Sequence, residues 1–150
     1  MNKRKKRRNT TLEEANSSST HFEVMLGADV NTISPVVGLV MRLVGDLKYT
    51  HGKEFEIEMA LREALANAVL HGCKGDPNKQ IQCSVSGDNE RGISIVVRDP
   101  GEGFDVSNLA CPTAEQNLFS DHGRGIYLIN TLMDEVKYER NGSEIHMRKY

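Results

Sequence analysis

Residues 55–72 read Phe-Glu-Ile-Glu-Met-Ala-Leu-Arg-Glu-Ala-Leu-Ala-Asn-Ala-Val-Leu-His-Gly. Ile57, Leu61, Ala64, Leu65 and Ala68 recur at spacings of three and four, the period of a helix that buries one stripe. Alanine and leucine dominate the run and favour helix intrinsically. The pattern predicts a helix over 55–70, closed by His71-Gly72. Beside the apolar stripe runs a polar one, with Glu63, Asn67 and His71 at i, i+4 and i+8. A carboxylate among alanines suits a general base. The Asn67 side chain offers a neutral oxygen, a hard ligand for a magnesium ion completed by water and phosphate. Taken alone, the stripe fits a solvent-facing helix edge equally well.

On either side of this helix the periodicity changes. Upstream, 21–26 reads as a short strand, and Ser34-Pro35 reads as a cap with proline at the first helical position. Val37, Val40, Val44 and Leu47 then follow at helical spacing, to an end near Thr50. Downstream, Lys74 to Asn78 is a loop by composition. Ile81, Cys83 and Val85 alternate, as do Ile93, Ile95 and Val97, and the Gly87–Gly92 connection makes them a hairpin. A glycine-rich turn over 99–105 leads into an irregular stretch over 106–122, long enough to be a lid. Ile126, Ile129, Leu132 and Met133 predict a last helix. Val136 with Tyr138, then Ile145 with Met147, predict a second hairpin around Asn141-Gly142. Helices and hairpins segregate, which predicts an α+β two-layer sandwich with helices on one face of a mixed, mostly antiparallel sheet.

Composition bounds the function. The chain has 150 residues, 38% of them hydrophobic, consistent with one domain. No stretch approaches the ~20 apolar residues of a membrane span; the most apolar run, 36–41, is closed by Arg42. The net charge of −2 divides unevenly. Six of 19 basic residues lie in Lys3 to Arg8, leaving 13 basic and 21 acidic groups in residues 11–150, a balance of −8. Residues 1–20 read as a disordered basic and polar arm on a domain over 21–150. The acidic body argues against direct nucleic-acid binding. Polar residues after the basic cluster are unlike a secretory signal, and Cys73, Cys83 and Cys111 have no zinc-like spacing. Both point to the reducing cytoplasm.

Two further motifs carry chemistry. Asp99-Pro100-Gly101-Glu102-Gly103 follows a strand. Its glycines let backbone approach a ligand, and Asp99 can accept from an exocyclic amine, which adenine has and guanine lacks there. His122-Gly123-Arg124-Gly125 opens the last helix, where backbone N–H groups and the helix dipole seat phosphate. Each alone fits a glycine-permitted turn.

Together, ExxxNxxxHG on a helix, DxGxG after a strand, a lid, and GxG at a helix start resemble the motif order of the GHKL (Bergerat-fold) ATPase and kinase superfamily. Met133-Asp134-Glu135-Val136 and Gly142-Ser143 are similar to its single-domain anti-sigma-factor serine kinases of the RsbW and SpoIIAB type. The resemblance covers residues 21–150. It implies ATP and Mg2+ as cofactors, Glu63 as the base at the attacking serine hydroxyl, Asn67 as magnesium ligand and Asp99 as adenine reader. It further implies backbone approach at Gly101 and Gly103, phosphate binding by Gly123, Arg124 and Gly125, and Ser143 where the family has a threonine near adenine. The implied substrate is a serine on a STAS-type anti-sigma-factor antagonist. A sigma factor is a second implied partner, and a homodimer is implied through the sheet. The stretch between Gly103 and Gly123 is shorter than in those kinases and lacks their Thr-Thr-Lys, and Pro35 stands where they carry a basic residue. These departures suggest an alternative, a non-catalytic ATP-binding regulator that sequesters a sigma factor or another partner.

Overall fold

The strand read at 21–26 forms as β1 (Thr20–Gly27) and pairs antiparallel with β2 (Gln80–Asp88), Val24 opposite Cys83. The structure, a computed structural model, describes residues 20–47, 50–88, 91–104 and 121–150. The basic arm, Cys111 and residues 106–120 of the lid expected over 106–122 lie outside them; its last two positions, Asp121 and His122, instead open the last helix. β2 turns into β3 (Gly92–Arg98), with Cys83 opposite Val97 and Val85 opposite Ile95. The chain closes with β4 (Glu135–Glu139) and β5 (Glu144–Lys149), the second predicted hairpin. The sheet order is β1-β2-β3-β5-β4. Every pairing is antiparallel, so the sheet is not mixed. Connections between adjacent strands are hairpins or return crossovers, and no parallel βαβ unit occurs among them.

Three helices cover one face: α1 (Ile33–Asp46), α2 (Glu54–Asn67) and α3 (Asp121–Leu132). α2 packs against both others. Its Ile57, Leu61 and Leu65 are fully buried, with Ile81, Cys83, Val85, Ile93 and Ile95 of the sheet beneath. Alternation along β2 and β3 thus set the core face as expected. Glu54 and Glu56 sit in the first turn of α2, favourably placed against the helix dipole.

Two boundaries of α1 differ from the sequence reading. The helix starts at Ile33, after a 3-10 turn over Val30–Thr32, and the residue preceding it is Thr32 rather than Ser34. The Thr32 hydroxyl lies 2.6 Å from Asp29 O and 2.9 Å from Gly27 O, tying that turn to the end of β1. Pro35 is therefore the third helical residue, still within the turn where its missing N–H does no harm. At the other end α1 stops at Asp46. Buried Thr50 turns its hydroxyl back to Val44 O (2.6 Å) and Leu47 O (2.7 Å), satisfying carbonyls that a longer helix would have used.

α2 also ends early. A π-helical turn, Ala68–Gly72, continues it and widens the backbone where the sequence predicted three more regular α-helical residues. Such turns tend to sit at functional sites, and this one carries the end of the polar stripe.

Candidate active site

A cavity of about 150 Å³ opens between α2, the π turn and the sheet. Ala64, Asn67, His71 and Gly72 form one wall; Val97, Asp99, Tyr138, Ser143 and Ile145 belong to the sheet side, and Gly103, Phe104 and Ile126 complete it. Residues from the helix motif and the strand-end motif, 32 positions apart at Asn67 and Asp99, therefore share one space.

The π turn makes this possible. A Cβ on Gly72 would overlap the Asp99 carboxyl, and one on Gly101 would overlap Gly72 O. Backbone of the turn thus lies directly on the Asp99–Gly101 segment. The approach at Gly101 is to that backbone, not to the open cavity. Gly103 has φ +79°, and its missing Cβ leaves room for Asn141 O; Phe104 N–H donates to that oxygen at 2.7 Å.

Asp99 is held at two points. Its backbone N–H donates to Ser143 O at 2.9 Å, and its Oδ1 accepts from Gly101 N–H at 2.8 Å. Burial raises its pKa, opposed by the Gly101 hydrogen bond and by Lys79. Ser143 is buried and its hydroxyl donates to Arg140 O at 2.8 Å, so toward a ligand it can only accept.

Glu63 and Asn67 are half-buried on α2. The first turns of α3 cross them: a Cβ on Gly125 would lie 2.8 Å from Glu63 Oε2 and 3.3 Å from Asn67 Nδ2. Gly125 is thus the close-approach point between the third motif and the first. Gly123 is buried beside it and Arg124 is exposed. None of these three lines the enclosed cavity; they stand at the Glu63 end of the site.

Sequence reasoning missed two features. Tyr138, read only as an inward residue of a strand, lines the cavity. Glu144, not singled out, is a buried carboxylate on the outer sheet face, opposite Arg98 and Glu139 in register. It accepts from Arg98 and lies 2.7 Å from His146 Nε2. Glu139, Glu144 and His146 are close enough to ligate a metal, but the two carboxylates already pair with Arg98 and Lys137. The cysteines give no metal site among the described residues: Cys73 and Cys83 are buried free thiols, Cys83 pushed up to about 12 by burial.

The cavity fits an exocyclic amine such as adenine carries, with one Asp99 carboxylate oxygen and the Ser143 hydroxyl oxygen still able to accept. The family model described as "Histidine kinase-like ATPase domain" matches residues 26–149. The chain belongs to that family. It is similar to serine-protein kinase RsbW of Bacillus subtilis, 31% identical over 141 residues, 89% of this chain and 88% of the relative. RsbW of Bacillus velezensis is 29% identical over the same shares, and RsbW of Bacillus cereus 32% over 63% of this chain and 62% of its own length. The resemblance drawn from the three motifs is thereby borne out. No helix among the described residues is long and apolar enough to cross a membrane.

Proposed function

We propose that the protein is an ATP-dependent serine kinase of a partner-switching system in the cytoplasm. It phosphorylates a STAS-type antagonist and also binds a sigma factor, working as a homodimer. One observation carries the reading: Gly125 of α3 abuts both Glu63 and Asn67, while Asn67 shares its cavity with Asp99, so base, metal ligand and base-recognition group form one continuous site. The RsbW relatives are named serine-protein kinases, which favours the kinase over the non-catalytic alternative.

In this reading Asp99 accepts the adenine amine and Ser143 accepts a further donor, while Gly103 lines the nucleotide cavity and Gly101 lets the Asp99 loop close on Gly72. Gly123, Arg124 and Gly125 hold phosphates at the start of α3. Asn67 would hold Mg2+, which would supply charge neutralisation to the phosphates. The attacking serine oxygen bonds to the γ-phosphorus, the bond from that phosphorus to the β–γ bridging oxygen breaks, and ADP leaves with the electron pair. Glu63 takes the hydroxyl proton. Positioning and charge account for most of such catalysis, and a general base contributes on the order of 10²–10⁴-fold.

The test is transfer of labelled γ-phosphate from Mg-ATP to a STAS-type antagonist protein. Glu63→Gln should bind ATP as the wild type does and lose at least 10²-fold in transfer rate. Undiminished transfer by that variant would remove Glu63 from the mechanism.

A further inference from the structure

Glu144 is the one charged residue among the buried ones described. Ile145 and Met147 of its strand point into the core, so by alternation Glu144 stands on the opposite face of the sheet, away from the helices. Its own neighbours cover it. Arg98 donates to Oε2, His146 Nε2 lies 2.7 Å from Oε1, and Arg140 Nε lies 4.0 Å from Oε2. One carboxylate therefore joins the end of β3, the start of β5 and the turn over Arg140–Gly142.

That turn is strained. Arg140 has φ +51°, Asn141 φ +56° and Gly142 φ +90°. A left-handed backbone is costly for residues with a Cβ, and it persists where the surroundings fix it. The turn also builds the sheet side of the cavity. Asn141 O accepts from Phe104 N–H at 2.7 Å, and Arg140 O accepts from the Ser143 hydroxyl at 2.8 Å. Arg98 and Glu144 are partners in register, and the next bond of the ladder runs from Asp99 N–H to Ser143 O. Asp99, Phe104 and Ser143 all line the cavity, while Glu144 does not. The strained turn thus has the cavity in front of it and the carboxylate behind.

We infer that Glu144 is a positioning residue of the nucleotide pocket. Through Arg98 and Arg140 it holds the end of β3 and the left-handed turn in the geometry that sets Asp99, Phe104 and Ser143 around the ligand. This rests on the nucleotide reading proposed above. Without the negative charge the turn relaxes toward ordinary backbone conformations. Affinity then falls in proportion to the share of molecules that keep the competent form.

The test is calorimetric titration of ADP into the full chain, comparing wild type, Glu144→Gln, the double variant Glu144→Gln with Arg140→Gly, and Glu135→Gln. Glu135 pairs with Arg148 at the far end of the β4–β5 ladder, so its variant loses an ion pair of the same sheet away from the turn. Glu144→Gln should bind ADP about fivefold more weakly, the loss expected if the turn stays competent in about one molecule in five. Glycine adopts a left-handed backbone without that cost, so the double variant should return to within about twofold of wild type. Glu135→Gln should bind as wild type does. Arg140→Ala, which keeps a Cβ in the turn but lacks the guanidinium, should bind more weakly than Arg140→Gly; Arg140 is exposed, and this pair carries the test should Glu144→Gln fail to fold. Wild-type affinity in Glu144→Gln, or equal affinity in the two Arg140 variants, would overturn the inference and leave the nucleotide reading standing. So would a loss that Arg140→Gly does not repair, or an equal loss in Glu135→Gln, since either makes Glu144 a matter of general stability. Failure of the wild type to bind ADP would overturn both readings.

Discussion

Replacing Asp99 with asparagine separates recognition from stability, because the two should move in opposite directions. The carboxylate is half-buried, and burial raises its pKa; the folded protein therefore holds its charged form at a disadvantage. Asparagine is of the same size, retains an oxygen for Gly101 N–H, and carries no charge. Its NH2 would face the adenine amine, donor against donor. Losing a hydrogen bond to a charged acceptor costs about 1.5–3 kcal/mol, or roughly 10- to 150-fold in ATP affinity. GTP, with an acceptor oxygen at that position, should gain relative to ATP. Without nucleotide, Asp99→Asn should unfold at the same or a higher temperature. The sign with pH follows from the raised pKa. The penalty on the wild type is absent below the unfolded-state value near 3.8 and returns as pH rises through the folded-state value, so the advantage of asparagine should be full at pH 7 and vanish in acid. Calorimetric titration with ATP and GTP, paired with unfolding scans from pH 3 to 7, reads all of this. Wild-type ATP affinity in the variant would refute the role given to Asp99. A lowered midpoint at neutral pH would refute the electrostatic reasoning.

Two further outcomes follow from single contacts. In Gly125→Ala the new methyl meets Glu63 Oε2 at 2.8 Å and Asn67 Nδ2 at 3.3 Å; both are side-chain atoms that can turn aside, and alanine favours helix by about 1 kcal/mol. The variant should keep its unfolding midpoint within a few degrees yet transfer phosphate at least tenfold more slowly, and a parallel loss of both would show a packing role instead. For Glu144, burial alone would raise the pKa, but hydrogen bonds from His146 and Arg98 hold it below the usual value of 4.5. Its contribution is present above that value and fades as pH falls through the lowered one. Glu144→Gln should thus be less stable by about 1 kcal/mol at pH 7, a modest figure because Arg98 and His146 stay partly exposed. Denaturant titration at pH 7 and pH 3 should show the difference shrink in acid; a difference independent of pH would assign it to packing.

What could be read from the sequence divides by range. Ile81, Cys83 and Val85 alternate within five residues, and their burial follows from that alternation without knowledge of the rest of the chain. The same holds for the buried stripe of α2. The polar residues of the site were legible for a related reason: Glu63 with Asn67, and Asp99 with Gly101 and Gly103, are each local patterns tied to chemistry. The walls of the site were not, because they depend on pairing across the sheet. That β5 inserts between β3 and β4 decides that Ile145 faces Val97, and no periodicity contains that order. The π turn escaped for another reason. Apolar spacing fixes which face of a helix is buried, and a single widened turn at the end shifts only Leu70, His71 and Gly72, too few residues to show in a period. Yet that shift brings Gly72 against the Asp99 carboxyl. Alternation likewise placed Tyr138 inward beside Val136 as core, since it reports the face of a side chain and not whether its terminal oxygen has a partner. An inward tyrosine in a strand is a packing residue until its hydroxyl is accounted for. Here the ring packs edge-on against Phe104, while the buried hydroxyl has no partner, a distinction no alternation pattern carries.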